Sequence, residues 1–187
     1  MTHTETSTGI TSRIPLIRAA MDAAAHPALL MVDAVSSLAC SEYRHHDWRV
    51  DVSVSASQKG LMLPPGLSFN AISDKALEYS QLSTSCHSYW RWDAMLENNE
   101  RGFFPYTPAT NLLYGLSEAL ALLQRQGLNN VIARHARLAG ATRAAVAAWG
   151  LENVCLNPQE YSNATTAVLM PAVASLGPRA DLAVGIG

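Results

Sequence analysis

Two charged residues stand where apolar runs of this chain end. Asp33 closes Ala28-Leu29-Leu30-Met31-Val32, and Lys59 follows Val50-Asp51-Val52-Ser53-Val54 in the small-residue loop Ser55-Ala56-Ser57-Gln58-Lys59-Gly60. Lysine is scarce: Lys75 is the only other one. A lysine on a strand-end loop is ordinarily a solvated surface residue. If the two runs are neighbouring strands, however, a carboxylate and an amine face one crevice at the carboxyl ends of the strands, where open α/β sheets bind ligands. One chemistry uses such a pair well. A lysine amine condenses with an aldehyde, and an aspartate keeps a pyridine nitrogen protonated, as in pyridoxal phosphate (PLP) enzymology. The lysine then serves as the general base and acid that moves the substrate's α-proton. A structural Asp–Lys salt bridge is the competing reading.

The surrounding pattern supplies elements to position the pair. Apolar residues at Ile14, Ile17, Ala20, Met21 and Ala24 predict a helix over 13–25 with Ser12 as its cap, stopped by His26-Pro27. The short run 28–32 reads as a strand buried on both faces of a parallel sheet. Further strands are expected at 50–54 and 66–73, then a short helix at 74–79. Trp92, Met95 and Leu96 share the spacing of a core-facing helix. The proline-rich turn 102–110 leads into a helix over about 109–126, capped by Thr107 or Thr110 and closed by Gly127. A second long helix, about 128–149, ends at Gly150, with His135 packed near its apolar face; Leu151–Cys155 and Thr165–Met170 read as strands. Residues 1–11, rich in Thr, Ser and Gly, read as a loop whose hydroxyls meet a polar ligand or as a frayed terminus.

Composition narrows the classes. Of 187 residues, 49% are hydrophobic and 15% charged, enough apolar content for a packed core. The net charge is −2 and no basic stripe occurs, which argues against a nucleic-acid partner. No apolar run reaches the roughly 20 residues of a bilayer span, and the polar start Met1-Thr2-His3-Thr4 is no signal peptide, so no membrane partner and a cytoplasmic location are expected. Cys40, Cys86 and Cys155 form no Cys-x-x-Cys pair and read as small buried or semi-buried hydrophobes, and adjacent His45-His46 is a poor metal site. No metal is expected.

Several stretches carry more than spacing. Thr4-Glu5-Thr6-Ser7-Thr8-Gly9, Leu30-Met31-Val32-Asp33-Ala34-Val35-Ser36-Ser37, Ser55-Ala56-Ser57-Gln58-Lys59-Gly60-Leu61-Met62-Leu63-Pro64-Pro65-Gly66 and Phe104-Pro105-Tyr106-Thr107-Pro108-Ala109-Thr110-Asn111-Leu112-Leu113-Tyr114-Gly115-Leu116 occur in that order. Together, from about residue 2 to 171, they resemble the class V aminotransferases of fold type I, most of all the serine–glyoxylate and alanine–glyoxylate branch. The resemblance implies an α/β fold: residues 1–110 would be the C-terminal part of a large PLP-binding domain, and 111–187 a long helix and part of a small α+β domain. It implies PLP as cofactor, amino acid (serine or alanine) and glyoxylate as substrates, and a homodimer. By position, Lys59 matches the lysine that carries PLP, Asp33 the aspartate on the ring nitrogen and Val35 the residue packed under the ring. Thr6 matches a hydroxyl near the phenolic oxygen, Gln58 a phosphate ligand, and Thr107 a threonine that reaches the phosphate in the neighbouring subunit. Phe104 stands where a related enzyme has a phosphate-contacting tyrosine, Ala56 where glycine is common, and Arg49 where glycine usually precedes the lysine-bearing strand.

Family members are longer chains. The resemblance therefore leads us to expect that the first half of the large domain, with its phosphate loop and ring-stacking aromatic, is not among these residues. It also places no family motif on Arg179, the tail's only arginine. An inactive remnant that keeps only folding and dimerisation elements is the alternative expectation.

Overall fold

A computed structural model describes residues 1–86 and 88–171. Arg179 and the rest of the tail lie outside the described residues. The chain opens with a small hairpin, β1 (Thr4–Glu5) against β2 (Ile10–Thr11), and enters α1 (Ile14–Ala23). A three-stranded sheet follows in the order β3 (Met31–Asp33), β4 (Val52–Ala56), β5 (Ser68–Ile72). β3 and β4 run parallel, with Met31, Val32 and Asp33 opposite Val52, Ser53 and Val54, and β5 returns antiparallel. Then come α2 (Asp74–Gln81), α3 (Trp92–Glu100) and the long pair α4 (Thr110–Gln126) and α5 (Leu128–Ala148). A two-stranded antiparallel ladder, β6 (Glu152–Asn153) with β7 (Val168–Leu169), closes the described part.

The sheet buries one face. Ile14 of α1 packs with Leu30, Val32 and Val50, and Ile17, Met21, Tyr43 and Trp48 border them. The period of two in β3 puts Met31 and Asp33 on the other side, where Met31 is 50% exposed. The expected strand buried on both faces is therefore a half-covered one. A second core joins the loop after β4 to the long helices, through Ala39, Leu61, Leu63, Ala119, Leu123 and Val131.

Asp51 ties the amino-terminal edge together. It is buried; its Oδ2 accepts the Leu30 N–H at 2.7 Å and its Oδ1 the Ser73 hydroxyl at 3.2 Å. Its main chain joins the same network, with its N–H on the Leu30 carbonyl and its carbonyl accepting the Ser73 N–H. Arg18, itself paired with Asp22, approaches Asp51 at 3.8 Å.

Several local expectations are corrected. Arg13, not Ser12, precedes α1, with proline in the first turn and no side-chain cap; the Ser12 N–H is engaged on the His3 carbonyl. Neither Thr107 nor Thr110 caps α4, because Ala109 occupies the cap position and Thr110 is already helical. α3 buries no residue, and Leu96 is 38% exposed. Cys40 and Cys155 are buried, whereas Cys86 is exposed. Gly127 separates α4 from α5 with φ of 80°, and Gly150, at φ of 70°, follows the last turn of α5, as expected.

Residues 1–3 are not frayed. The terminal ammonium donates to the Met31 carbonyl, the Met1 carbonyl accepts the Asp33 N–H and the His3 N–H donates to the Asp33 carbonyl, each at 2.8 Å. Thr2 thus makes an isolated parallel bridge to Asp33 at the edge of the sheet. His3 turns inward, 3% exposed, with ring centroids 5.2 Å from Tyr43 and 5.6 Å from Trp48. Burial of the ring, whose Nδ1 has no hydrogen-bond partner, lowers its pKa to about 4. The folded state thus favours neutral His3. Its contribution is complete above the ordinary value near 6.5 and is lost as pH falls from there towards 4. We expect unfolding free energy to drop by about 2 kcal/mol between pH 8 and pH 5 through this group. Urea titrations at the two pH values check it: the drop should shrink by that amount in His3→Phe, and an equal drop in both proteins would refute the assignment.

Candidate functional site

The parallel pairing of β3 and β4 sends two loops out of the same edge. Asp33 is the last residue of β3, and the Ala34 N–H still bonds the Val54 carbonyl at 2.8 Å, so the ladder holds up to the turn. There the Asp33 Oδ1 accepts the Val35 N–H at 2.8 Å. This short-range bond, typical of aspartate at a turn, orients the carboxylate and fixes Val35, which is half-buried. The following residues coil: Leu38 bonds back to Ala34, and Cys40 and Ser41 bond back to Ser37.

Gln58 and Lys59 are both exposed in the loop after β4. Among the described residues Lys59 forms no ion pair, with Asp33 or with any other carboxylate. The salt-bridge reading of the pair is therefore not what the fold shows. What joins the two loops is Gly60. A Cβ there would overlap the Leu38 carbonyl oxygen and come within 3.0 Å of the Cys40 Sγ. Only the absence of a side chain lets the lysine loop lie against the aspartate turn. From the other side α4 presses on the same loop: a Cβ on Gly115 would meet Leu63 Cδ2 at 2.8 Å, and one on Gly66 would meet Leu112 Cδ1 at 2.5 Å.

Thr6 sits in the tight turn of the N-terminal hairpin. Glu5 builds that turn: its Oε1 accepts the Ser7 N–H at 3.0 Å and the Ser7 hydroxyl at 2.8 Å, which holds its carboxyl below the usual range. Gly9 ends the turn with φ of 67°, and its carbonyl accepts the Ser162 N–H at 3.0 Å, docking the hairpin on the C-terminal segment. The Thr6 hydroxyl then meets the Ser36 hydroxyl at 2.8 Å. The structure so brings Thr6, Asp33 and Val35 together, with Gln58 and Lys59 on the adjoining loop. Thr107 is exposed on the turn before α4, and no hydrogen bond among the described residues ties it to the other five.

Ser36 and Gly60 carry no signal of their role in the sequence. Ser36 is one hydroxyl in a small-residue stretch, and Gly60 one glycine after a lysine; their contacts join segments distant in the chain. A cleft of about 460 Å³ also opens between α2 and α3, lined by Leu77, Gln81, Ser83, Cys86 and Arg91 among others, but by none of the six expected residues. The His45 Nδ1 lies 2.7 Å from the Ser53 hydroxyl, and the described residues hold no cluster of His, Cys, Asp and Glu fit for a metal ion. No helix among them is long and apolar enough to cross a membrane.

Comparison with known proteins bears on the family and the fold. The family model "Aminotransferase class-V" matches residues 1–176. The chain is 49% identical over 173 residues to a serine–glyoxylate aminotransferase of Hyphomicrobium methylovorum, covering 91% of this chain and 43% of the relative. It is 43% identical over 170 residues to an L-aspartate–glyoxylate aminotransferase of Paracoccus denitrificans, again covering 91% and 43%. The crystal structure of pyridoxamine–pyruvate aminotransferase from Mesorhizobium loti superposes with a TM-score of 0.83 at 33% identity, over 91% of this chain and 44% of that one. The chain thus spans under half the length of the relatives it matches.

The Gly60 contact yields a direct test. Gly60→Ala should destabilise by about 3 kcal/mol, the upper end of what overpacking a fitted site costs. Gly140, inside α5, is the control, because a Cβ placed there would meet nothing within 4 Å. Gly140→Ala should instead gain up to about 1 kcal/mol from helix propensity. Urea unfolding of both variants decides, and two equal shifts would contradict the close approach.

Proposed function

The chain belongs to the class-V aminotransferases, and from that premise we propose that it provides the PLP-lysine and ring-nitrogen side of a transaminase site acting on serine, or alanine, with glyoxylate. The observation that supports this reading most is the placement of Asp33 and Lys59 on adjoining loops at one sheet edge, joined at Gly60 and free of a mutual ion pair. The donor set fits PLP. Lys59 offers an exposed amine, and Asp33 has one oxygen on Val35 and the other open to a protonated ring nitrogen. Bound there, PLP would act as the electron sink that makes the α-proton of an amino acid acidic.

The chain's own groups take the remaining tasks. Lys59 would hold the cofactor and, once released, would move the proton at the substrate Cα. Asp33 would keep the ring nitrogen charged through a charge-assisted hydrogen bond. Val35 would pack under the ring, Thr6 would offer its hydroxyl to the phenolic oxygen and Gln58 would bind phosphate. Thr107 would reach the phosphate of a second copy, so the working unit would be a homodimer. The net reaction transfers the amino group of serine to glyoxylate, giving hydroxypyruvate and glycine. The names of the relatives support glyoxylate as the acceptor more than they support any one donor, since one is a serine and one an aspartate enzyme. The absence of a membrane-crossing helix among the described residues is compatible with a cytoplasmic setting.

PLP added to the chain should give a visible absorption band, and borohydride should fix the cofactor onto Lys59. Peptide mapping after digestion reads the site. Lys59→Ala should abolish the labelled peptide, and Asp33→Ala should weaken PLP binding at least about tenfold by removing a charge-assisted bond. Labelling that ignores Lys59 would sink the proposal. Labelling at Lys59 without turnover of serine and glyoxylate would favour the alternative, a chain that keeps the cofactor site but no activity of its own.

A further inference from the structure

Lys59 lies in an eleven-residue connection, 57–67, between β4 and β5, and this connection is awkward to hold. Pro64 and Pro65 have no N–H to donate, and Gly66 adopts φ of 142°. A loop of this length, with two donors missing and a glycine beside them, has few means of fixing its tip by main-chain bonding alone. Its only fully buried residue is Ser57, at 0% exposure.

Four hydrogen bonds converge on that serine. Its hydroxyl donates to the Pro64 carbonyl at 2.7 Å and accepts the Leu67 N–H at 3.2 Å. Its main-chain N–H donates to the Leu67 carbonyl and its carbonyl accepts the Leu63 N–H, both at 3.1 Å. The hydroxyl thus supplies the proline carbonyl with a donor that the main chain does not give it there. A further turn, Met62 N–H to the Lys59 carbonyl at 2.9 Å, carries the constraint to the lysine itself.

We infer that Ser57 is a positioning residue for Lys59: its buried hydroxyl closes the 57–67 loop across the two prolines and so fixes where the amine is presented. This rests on the reading of Lys59 as the PLP lysine. The hydroxyl itself is buried beneath the loop, and its partners are the Pro64 carbonyl and the Leu67 N–H, not the lysine amine. Its role is geometric, and small displacements at a reacting amine cost large factors in rate.

Lys75 supplies an internal reference, being the only other lysine, with its amine on the Ala28 carbonyl at 3.2 Å. The full chain, Ser57→Ala and Val146→Ala, a core truncation in α5 away from the loop, are treated with PLP and borohydride at a temperature where all three are folded by circular dichroism. Peptide mapping gives the Lys59-to-Lys75 labelling ratio. The expected result is a ratio reduced about tenfold or more in Ser57→Ala and unchanged in Val146→Ala. A ratio unchanged in Ser57→Ala, or reduced equally in both variants, overturns the inference. Amide hydrogen exchange of 58–63 without PLP separates the two claims. If the unmodified chain labels both lysines alike, the cofactor reading fails. The loop-closing role then stands if Ser57→Ala speeds exchange in 58–63 where Val146→Ala does not, and falls if the two variants exchange alike.

Discussion

The contact of Gly60 against the Leu38 carbonyl is the constraint on which the candidate site depends. Parallel pairing of β3 and β4 brings two loops to one edge, but loops at one edge can splay by many ångströms. Backbone laid on backbone, with no side chain between, removes that freedom. The helix α4 then closes over the loop from the other side, with Leu112 against Gly66 and Leu116 against the cluster that holds Leu61 and Leu63. The lysine loop is therefore wedged between the aspartate turn and the long helix pair. Its position reports on both.

Much of this is legible in the sequence. Asp33 and Lys59 can be placed because apolar runs end abruptly and their polar successors stand out. The long helices can be placed because Gly127 and Gly150 stop them by a mechanism, the left-handed backbone, that leaves a mark in the sequence. The caps differ from expectation for a physical reason. Ser12 and Thr107 are good capping residues, but α1 begins one residue later, with Arg13 at the cap position, and α4 begins two residues beyond a Thr107 cap, with Ala109 there. Residues 1–3 depart furthest from their pattern. Met1-Thr2-His3 is too short a run to read as a strand, and it pairs with the open ladder of Met31 and Asp33.

Contacts that bind distant segments leave no periodic trace. Asp51 looks like the polar member of an alternating strand, yet it is buried and satisfies the Leu30 amide. Leaving that amide without an acceptor would cost about 1–3 kcal/mol, so the carboxylate is a structural fastener at the edge opposite the candidate site. The same run of residues thus carries a fastener at its start and the lysine loop just past its end. The Thr6–Ser36 hydroxyl pair is equally invisible to pattern reading, since each residue lies among other small polar ones.

The uncovered side of β3 has an electrostatic consequence. Met31 and Asp33 stand on a face open to water, so the Asp33 carboxylate is screened by a high-dielectric medium. At 4 Å, unit charges attract by about 1 kcal/mol in bulk water and about 4 kcal/mol at the effective dielectric of a protein surface. As the chain folds here, the exposed Asp33 carboxylate would attract a nearby cation no more strongly than a surface pair does. Any layer of protein laid over this face would multiply the grip of the same carboxylate several-fold without moving one of its atoms.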